Sequence, residues 1–369
     1  MSTKTENLEL NIYSRDEKVI DWLNGSDQNF QIIDNTVGKV LTRIEQNSRQ
    51  LANCIELDEH YGTRVEQLTR LSPPPFCKAT TGVNSGNYAY IFYNNGIFAR
   101  YNVMSKQFET LEIKYKENEE SEIIRYLSLP MFLIDSTKIE FNGTIYMFRK
   151  TLNYPELYKY NVEENLFTKT SFTFLDEGID QIRNEPMVLC GHYIYIFGIN
   201  VNHQPMSFKF DVLNERLYSI SSQVAMSLTL AISDEDEQNI YLFGGSNTDT
   251  GTKLGVYKYN IANDNYTLIG SLPDATSGIG GARIKNNVYL FGGNKVSNAG
   301  TECRNTIYVF NLNTEQFKLL DVTLPVNLVY LDCFTKKGNI YMLGGNENYI
   351  YYSHSDSKSN QWIYKFTEY

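Results

Sequence analysis

The chain's capacity for metal or acid–base chemistry rests on few residues. Four histidines are present in 369 residues: His60, His192, His203 and His354. A zinc or copper centre needs two or three such ligands to converge. His192 directly precedes an apolar run and reads as a turn residue. His203 and His354 fall in loops of one rim, where surface positions account for them. Five cysteines, Cys54, Cys77, Cys190, Cys303 and Cys333, are dispersed without CxxC spacing. They read as reduced thiols of a cytoplasmic protein, not as a disulfide frame or a zinc site. The acidic runs Glu117-Asn118-Glu119-Glu120 and Asp234-Glu235-Asp236-Glu237 read as solvated loops, with calcium binding as the remote alternative. No Walker A loop, GxGxxG turn, HExxH or GxSxG is found. The expectation is a chain without catalytic residues, metal or cofactor.

The elements that would position any site come from a repeat. A short apolar run recurs around Tyr90, Tyr146, Tyr195, Tyr241, Tyr289 and Tyr341, in steps of 56, 49, 46, 48 and 52. Runs such as Ile240-Tyr241-Leu242-Phe243 read as strands. The last three end in glycine pairs, Gly244-Gly245, Gly292-Gly293 and Gly344-Gly345, which permit positive φ and a sharp exit from a sheet. A second element follows in five copies: an aromatic residue, Asn or Asp, an aliphatic residue, and a large apolar residue seven positions after the aromatic. Examples are Tyr101 to Phe108, Tyr160 to Phe167, Phe210 to Leu217, Tyr259 to Tyr266 and Phe310 to Phe317. Asn and Asp initiate turns by accepting from backbone two residues on, so each copy reads as strand, tight turn, strand.

About four antiparallel strands per period, six times over, predict an all-β, six-bladed β-propeller. The last copy ends at Trp362-Ile363-Tyr364-Lys365-Phe366 and lacks a fourth strand. Gln67-Leu68-Thr69-Arg70-Leu71 matches the fourth strand of another copy, Tyr266 to Leu272, and is expected to close the ring by completing that blade. The 28 tyrosines, in a chain that is 14% aromatic, then belong mainly to strands packed between sheets.

The strand, the glycine pair, the tyrosine and the later bulky residue resemble the kelch repeat, over about residues 76–369. Phe, Leu or Tyr stands where that family has Trp. The resemblance implies that partners dock on the face built from the loops after the glycine pairs and the blade-to-blade connections. The matching residues are Arg149, Tyr154, Arg183, His203, Asn247, Arg283, Asn294, Arg304, Asn346 and Tyr349. Arginine suits carboxylate-bearing peptides.

Residues 1–65 differ in texture and are expected to form a short helical extension ahead of a propeller at 66–369. A heptad over 37–61 places Val37, Ile44, Leu51, Val40 and Cys54 at core positions, giving either a dimerising coiled coil or one amphipathic helix packed on the propeller. Coil followed by kelch resembles tripartite-motif proteins, but no Cys/His cluster supports a B-box or RING domain.

A net charge of −10 without basic clusters argues against nucleic acid. No run approaches the ~18 apolar residues of a membrane span, and the polar start lacks a signal-peptide core. The favoured expectation is a non-enzymatic, cytoplasmic scaffold that binds a protein or peptide and forms a homodimer through 37–61. The alternatives are a sugar-active enzyme similar to kelch-type sialic-acid epimerases, and a ubiquitin-ligase adaptor or cytoskeleton-binding protein.

Overall fold

The computed structural model describes residues 3–4, 11–12, 39, 63–70, 80–93, 97–117, 125–126, 137–149, 156–170, 173–174, 186–199, 204–223, 230–247, 251–252, 255–274, 276–297, 300–347, 358–360 and 362–368. The expected helix and coiled coil at 37–61 lie outside the described residues, Lys39 apart. Two compact units are present, Met1–Gly62 and Thr63–Glu368. In the first, Thr3–Lys4 pairs antiparallel with Asn11–Ile12. No helix among the described residues is long and apolar enough to cross a membrane.

The second unit is a six-bladed β-propeller. Blade 1 comprises Thr80–Ser85, Tyr88–Tyr93, Phe98–Asn102 and Gln107–Leu111. Blade 2 comprises Thr137–Phe141, Thr144–Arg149, Glu156–Asn161 and Leu166–Thr170. Blade 3 comprises Met187–Cys190, Tyr193–Ile199, Pro205–Asp211 and Arg216–Ser219. Blade 4 comprises Leu230–Ser233, Asn239–Phe243, Gly255–Asn260 and Asn265–Ser271. Blade 5 comprises Gly280–Ile284, Asn287–Phe291, Ile307–Asn311 and Gln316–Leu319. In blade 6, Leu328–Lys336, Asn339–Glu347 and Trp362–Thr367 are joined by Arg64–Arg70 from the other end of the propeller's chain.

That last strand is the expected closure. Arg64–Arg70 runs antiparallel to Trp362–Thr367, from Arg64 opposite Thr367 to Arg70 opposite Trp362, with a register shift between Gln67 and Thr69. The first strands of successive blades lie beside one another, and that of blade 6 lies beside that of blade 1, so these six strands form the inner ring around the axis.

The seven-residue spacing of the second element has a geometric cause. Asn102 Oδ1 accepts from the backbone N–H groups of Met104 and Ser105, and Asn161, Asp211 and Asn311 repeat the pattern. Each turn ends in a residue of positive φ: Lys106, Asn165, Glu215, Asp264 and Glu315, at 49–59°. The side chain locks the turn, and the left-handed residue returns the chain into the next strand.

Packing is between blades. Blades 1 and 2 bury Tyr90, Phe92 and Phe98 against Ile145, Tyr160 and Phe167. Equivalent apolar clusters join blades 2 and 3, 3 and 4, 4 and 5, 5 and 6, and 6 and 1. The repeated tyrosines Tyr90, Tyr195, Tyr241, Tyr289 and Tyr341 are all buried, which assigns them to these cores. Beyond the four-strand expectation, Lys114–Lys116 and Thr173–Phe174 pair in parallel with the fourth strands of blades 2 and 3, and Arg125–Tyr126 pairs antiparallel with Lys114–Lys116.

Candidate functional site

In an antiparallel blade the second strand ends on the face where the first begins, so the glycine pairs lie on one face and the first hairpin turns on the other. Gly292 and Gly293 have φ of 62° and 97°. A Cβ on Gly292 would lie 2.1 Å from the Leu328 carbonyl oxygen. The Gly293 N–H donates to that same oxygen at 2.9 Å, while its carbonyl accepts from Arg304 N–H at 2.9 Å. Arg304 O in turn accepts from Leu328 N–H at 3.0 Å. The glycine pair Gly292-Gly293 is thus where blade 5 is bonded to the first strand of blade 6.

Beyond the pairs, this face carries small accessory strands. Ser246–Asn247 pairs with Gly251–Thr252. Asn294–Ser297 pairs with Gly300–Cys303 and, at its start, with Thr276–Ser277. Asn346–Glu347 pairs with Lys358–Ser359. The chain therefore builds a ledge on blades 4 to 6.

The ledge of blade 5 is charged and ordered by side chains. Lys295 donates to Asp274 Oδ1 at 2.6 Å, and the Tyr308 hydroxyl donates to Asp274 Oδ2 at 3.2 Å. The Lys295 bond holds the Asp274 carboxyl below its ordinary pKa against the opposing effect of burial, with Tyr308 and the Arg304 charge assisting. Burial and that carboxylate push the Tyr308 phenol up. Arg304 pairs with the largely exposed Glu302 at 3.2 Å through Nη2, but its Nε is buried without a hydrogen-bond partner among the described residues. One blade on, Asn346 Oδ1 is also buried and has no partner among the described residues. By contrast, Asn294 Oδ1 accepts from Cys303 Sγ at 3.3 Å. A buried polar group left unmade costs roughly 1–3 kcal/mol.

Of the residues expected on this face, Arg149 ends the second strand of blade 2, opposite Glu156. Asn247, Asn294, Arg304 and Asn346 follow the glycine pairs of blades 4 to 6. Tyr154, Arg183, His203 and Tyr349 lie outside the described residues. Arg283 is a correction: it pairs with Val288 beside the first hairpin turn of blade 5, on the opposite face. There it donates to Lys285 O at 2.9 Å and approaches Glu235 at 4.0 Å. The acidic run from Asp234 forms the equivalent turn of blade 4, where Asp234 accepts from Gln238 and Asn239 N–H groups. His192 sits in the first turn of blade 3 with its ring against Tyr193.

Sequence reading missed Asp332, a single acid inside the run Leu331-Asp332-Cys333-Phe334; an acid interrupting an apolar strand is the signal that would have found it. Asp332 Oδ2 accepts from Gly82 N–H of blade 1 at 2.6 Å. Burial raises the carboxyl to about 6, against the lowering effects of the Lys138 charge and the Gly82 N–H. Because the folded protein holds this proton more firmly than the unfolded chain, whose value is near 3.8, the Asp332 contribution to stability is largest below pH ~4. It is lost as pH rises to ~6. Asp332→Asn keeps an acceptor for Gly82 and removes the half-buried charge. Its unfolding free energy at pH 8 is expected to exceed that of the parent by about 2 kcal/mol, and the gap to close at pH 4, in urea titrations. No protein-family model matches the chain, and no curated protein matches it.

Proposed function

We propose that this chain is a non-enzymatic interaction module, a cytoplasmic kelch-like propeller that binds a protein or peptide on its glycine-pair face and dimerises through residues 37–61. The observation carrying the reading is a pair of polar atoms without a partner among the described residues, Arg304 Nε and Asn346 Oδ1, on adjacent blades of the ledge. A peptide supplies both missing partners. A side-chain carboxylate accepts from the guanidinium, and a main-chain N–H donates to the Asn346 amide oxygen. The sugar-active alternative would set an arginine beside a channel carboxylate. Among the described residues the cation acting on Asp332 is Lys138, which weighs towards binding.

The test is quantitative affinity capture from cells with the parent, Arg304→Ala, Asn346→Ala and Arg283→Ala. Recovery of a specific partner is expected to fall at least 10-fold with Arg304→Ala, as for an interface residue worth more than ~1.4 kcal/mol. It should fall less with Asn346→Ala and stay unchanged with Arg283→Ala on the opposite face. Partners retained by both ledge variants contradict the reading.

A further inference from the structure

Tyr330 stands near the start of the first strand of blade 6, on the glycine-pair face, with φ of 58°. A left-handed backbone strains a bulky aromatic residue and leaves glycine unstrained. The ladder with Asn339–Glu347 skips this residue, since Val329 is opposite Asn346 and Leu331 opposite Gly344. The same position in blade 5 is Gly278: it precedes Tyr289 by as many residues as Tyr330 precedes Tyr341. Gly278 has φ of 63°. The fold thus asks for a left-handed residue at this point of both blades. Blade 5 meets the demand with glycine, whereas blade 6 holds a tyrosine there under strain. Strain of this kind gathers at ligand clamps and binding sites.

The surroundings of Tyr330 narrow what it binds. Its N–H donates to Gly278 O at 2.8 Å, and a Cβ on Gly278 would lie 2.6 Å from the Tyr330 ring. The ring therefore crosses from blade 6 onto the bare glycine of blade 5. Leu328 and Leu331 on either side are buried in the apolar core shared by these blades, but Tyr330 is only half-buried. Leu328 N–H is bonded to Arg304 O at 3.0 Å, and Val329 is opposite Asn346. Consecutive residues thus tie Tyr330 to both ledge side chains that have an atom without a partner among the described residues. The charges nearby are balanced, Lys295 against Asp274 and Arg304 against Glu302. A run of acids gains no net attraction there, whereas a single carboxylate with an apolar neighbour fits both the guanidinium and the ring.

We propose that Tyr330 is the apolar contact of the ledge, and that the partner is a peptide segment with an aliphatic side chain close to one carboxylate. The proposal rests on the ledge reading above and adds the residue that Tyr330 selects. Arg304 takes the carboxylate, and the ring, fixed by its clamped backbone, takes the aliphatic group.

The experiment starts from a random dodecapeptide phage library selected on the full chain. Enriched peptides are synthesised with a fluorescein label, and their anisotropy is titrated with the parent, Arg304→Ala, Tyr330→Gly, Tyr330→Asn and Tyr330→Phe. Peptides that need Arg304 are expected to share an acid and an aliphatic residue at constant spacing. Tyr330→Gly and Tyr330→Asn, which both accept a left-handed backbone, should weaken them at least 10-fold, and Tyr330→Phe less than about 2-fold. Replacing the aliphatic residue by glycine should weaken binding to the parent equally, with no further loss in Tyr330→Gly, as a double-mutant cycle requires. The urea midpoint of Tyr330→Gly should equal or exceed that of the parent. Peptides that need Arg304 but bind Tyr330→Gly as they bind the parent overturn this proposal and leave the ledge reading standing. A loss in Tyr330→Gly that is the same with and without the aliphatic side chain, together with a lowered urea midpoint, makes the ring structural and also overturns it. Enrichment of no Arg304-dependent peptide overturns the ledge reading and this proposal with it.

Discussion

Deleting Arg64–Arg70 is expected to abolish the cooperative melt of the propeller. The strand supplies six paired residues to Trp362–Thr367, and it reaches two cores at once. Val65 packs into the cluster shared by blades 5 and 6, and Leu68 into that shared by blades 6 and 1. About six ladder bonds at ~1 kcal/mol each, with two apolar side chains at ~1.5–3 kcal/mol each, amount to roughly 10 kcal/mol. A whole domain has about 5–15 kcal/mol of net stability. The truncated chain would also expose the edge of Trp362–Thr367 to pairing with other chains. Near-ultraviolet circular dichroism should show no sharp transition, and a peptide spanning residues 60–75 should restore one. A deletion variant with the parental melt would contradict the closed ring.

The second large effect is local. Gly292→Ala places a methyl group 2.1 Å from the Leu328 carbonyl oxygen, a backbone atom, on a residue at φ 62°. The first strand of blade 6 must move, and with it the Gly293-to-Leu328 bond. A left-handed non-glycine residue costs about 1 kcal/mol or more, and forced repacking ~1–3 kcal/mol, so a loss of about 3–4 kcal/mol is expected in urea titrations. Gly86→Ala is the matched control: φ is 58°, yet nothing lies within 4 Å of the added methyl. Its cost should stay near 1 kcal/mol. Equal losses at the two glycines would show that conformation alone, and not the inter-blade junction, requires Gly292.

These effects also mark how far the sequence could be read. The blades were legible because each second element fixes its own turn: Asn161 accepts from Glu163 and Glu164 N–H groups, so the seven-residue spacing survives when the aromatic partner changes. The closing strand was legible because an unpaired edge demands a partner. The parallel strands at Lys114–Lys116 and Thr173–Phe174 were not, since two or three residues on an outer edge carry no periodicity. Arg283 was assigned to the wrong face because strand pattern gives which side a residue points to, not which end it occupies. At about 3.3 Å per residue, three positions beyond Gly280 bring it to the far turn. Asp332 needed the ring itself, because only the neighbouring blade shows that its partner is the Gly82 N–H.

The interaction surface is the central claim, and hydrogen–deuterium exchange on the propeller with and without its captured partner tests it most directly. Slowed exchange is predicted over residues 293–304 and 345–347 on the ledge, with no change at the first hairpin turns around Lys285 and Lys337. Protection confined to those turns, or absent from the ledge, would contradict it.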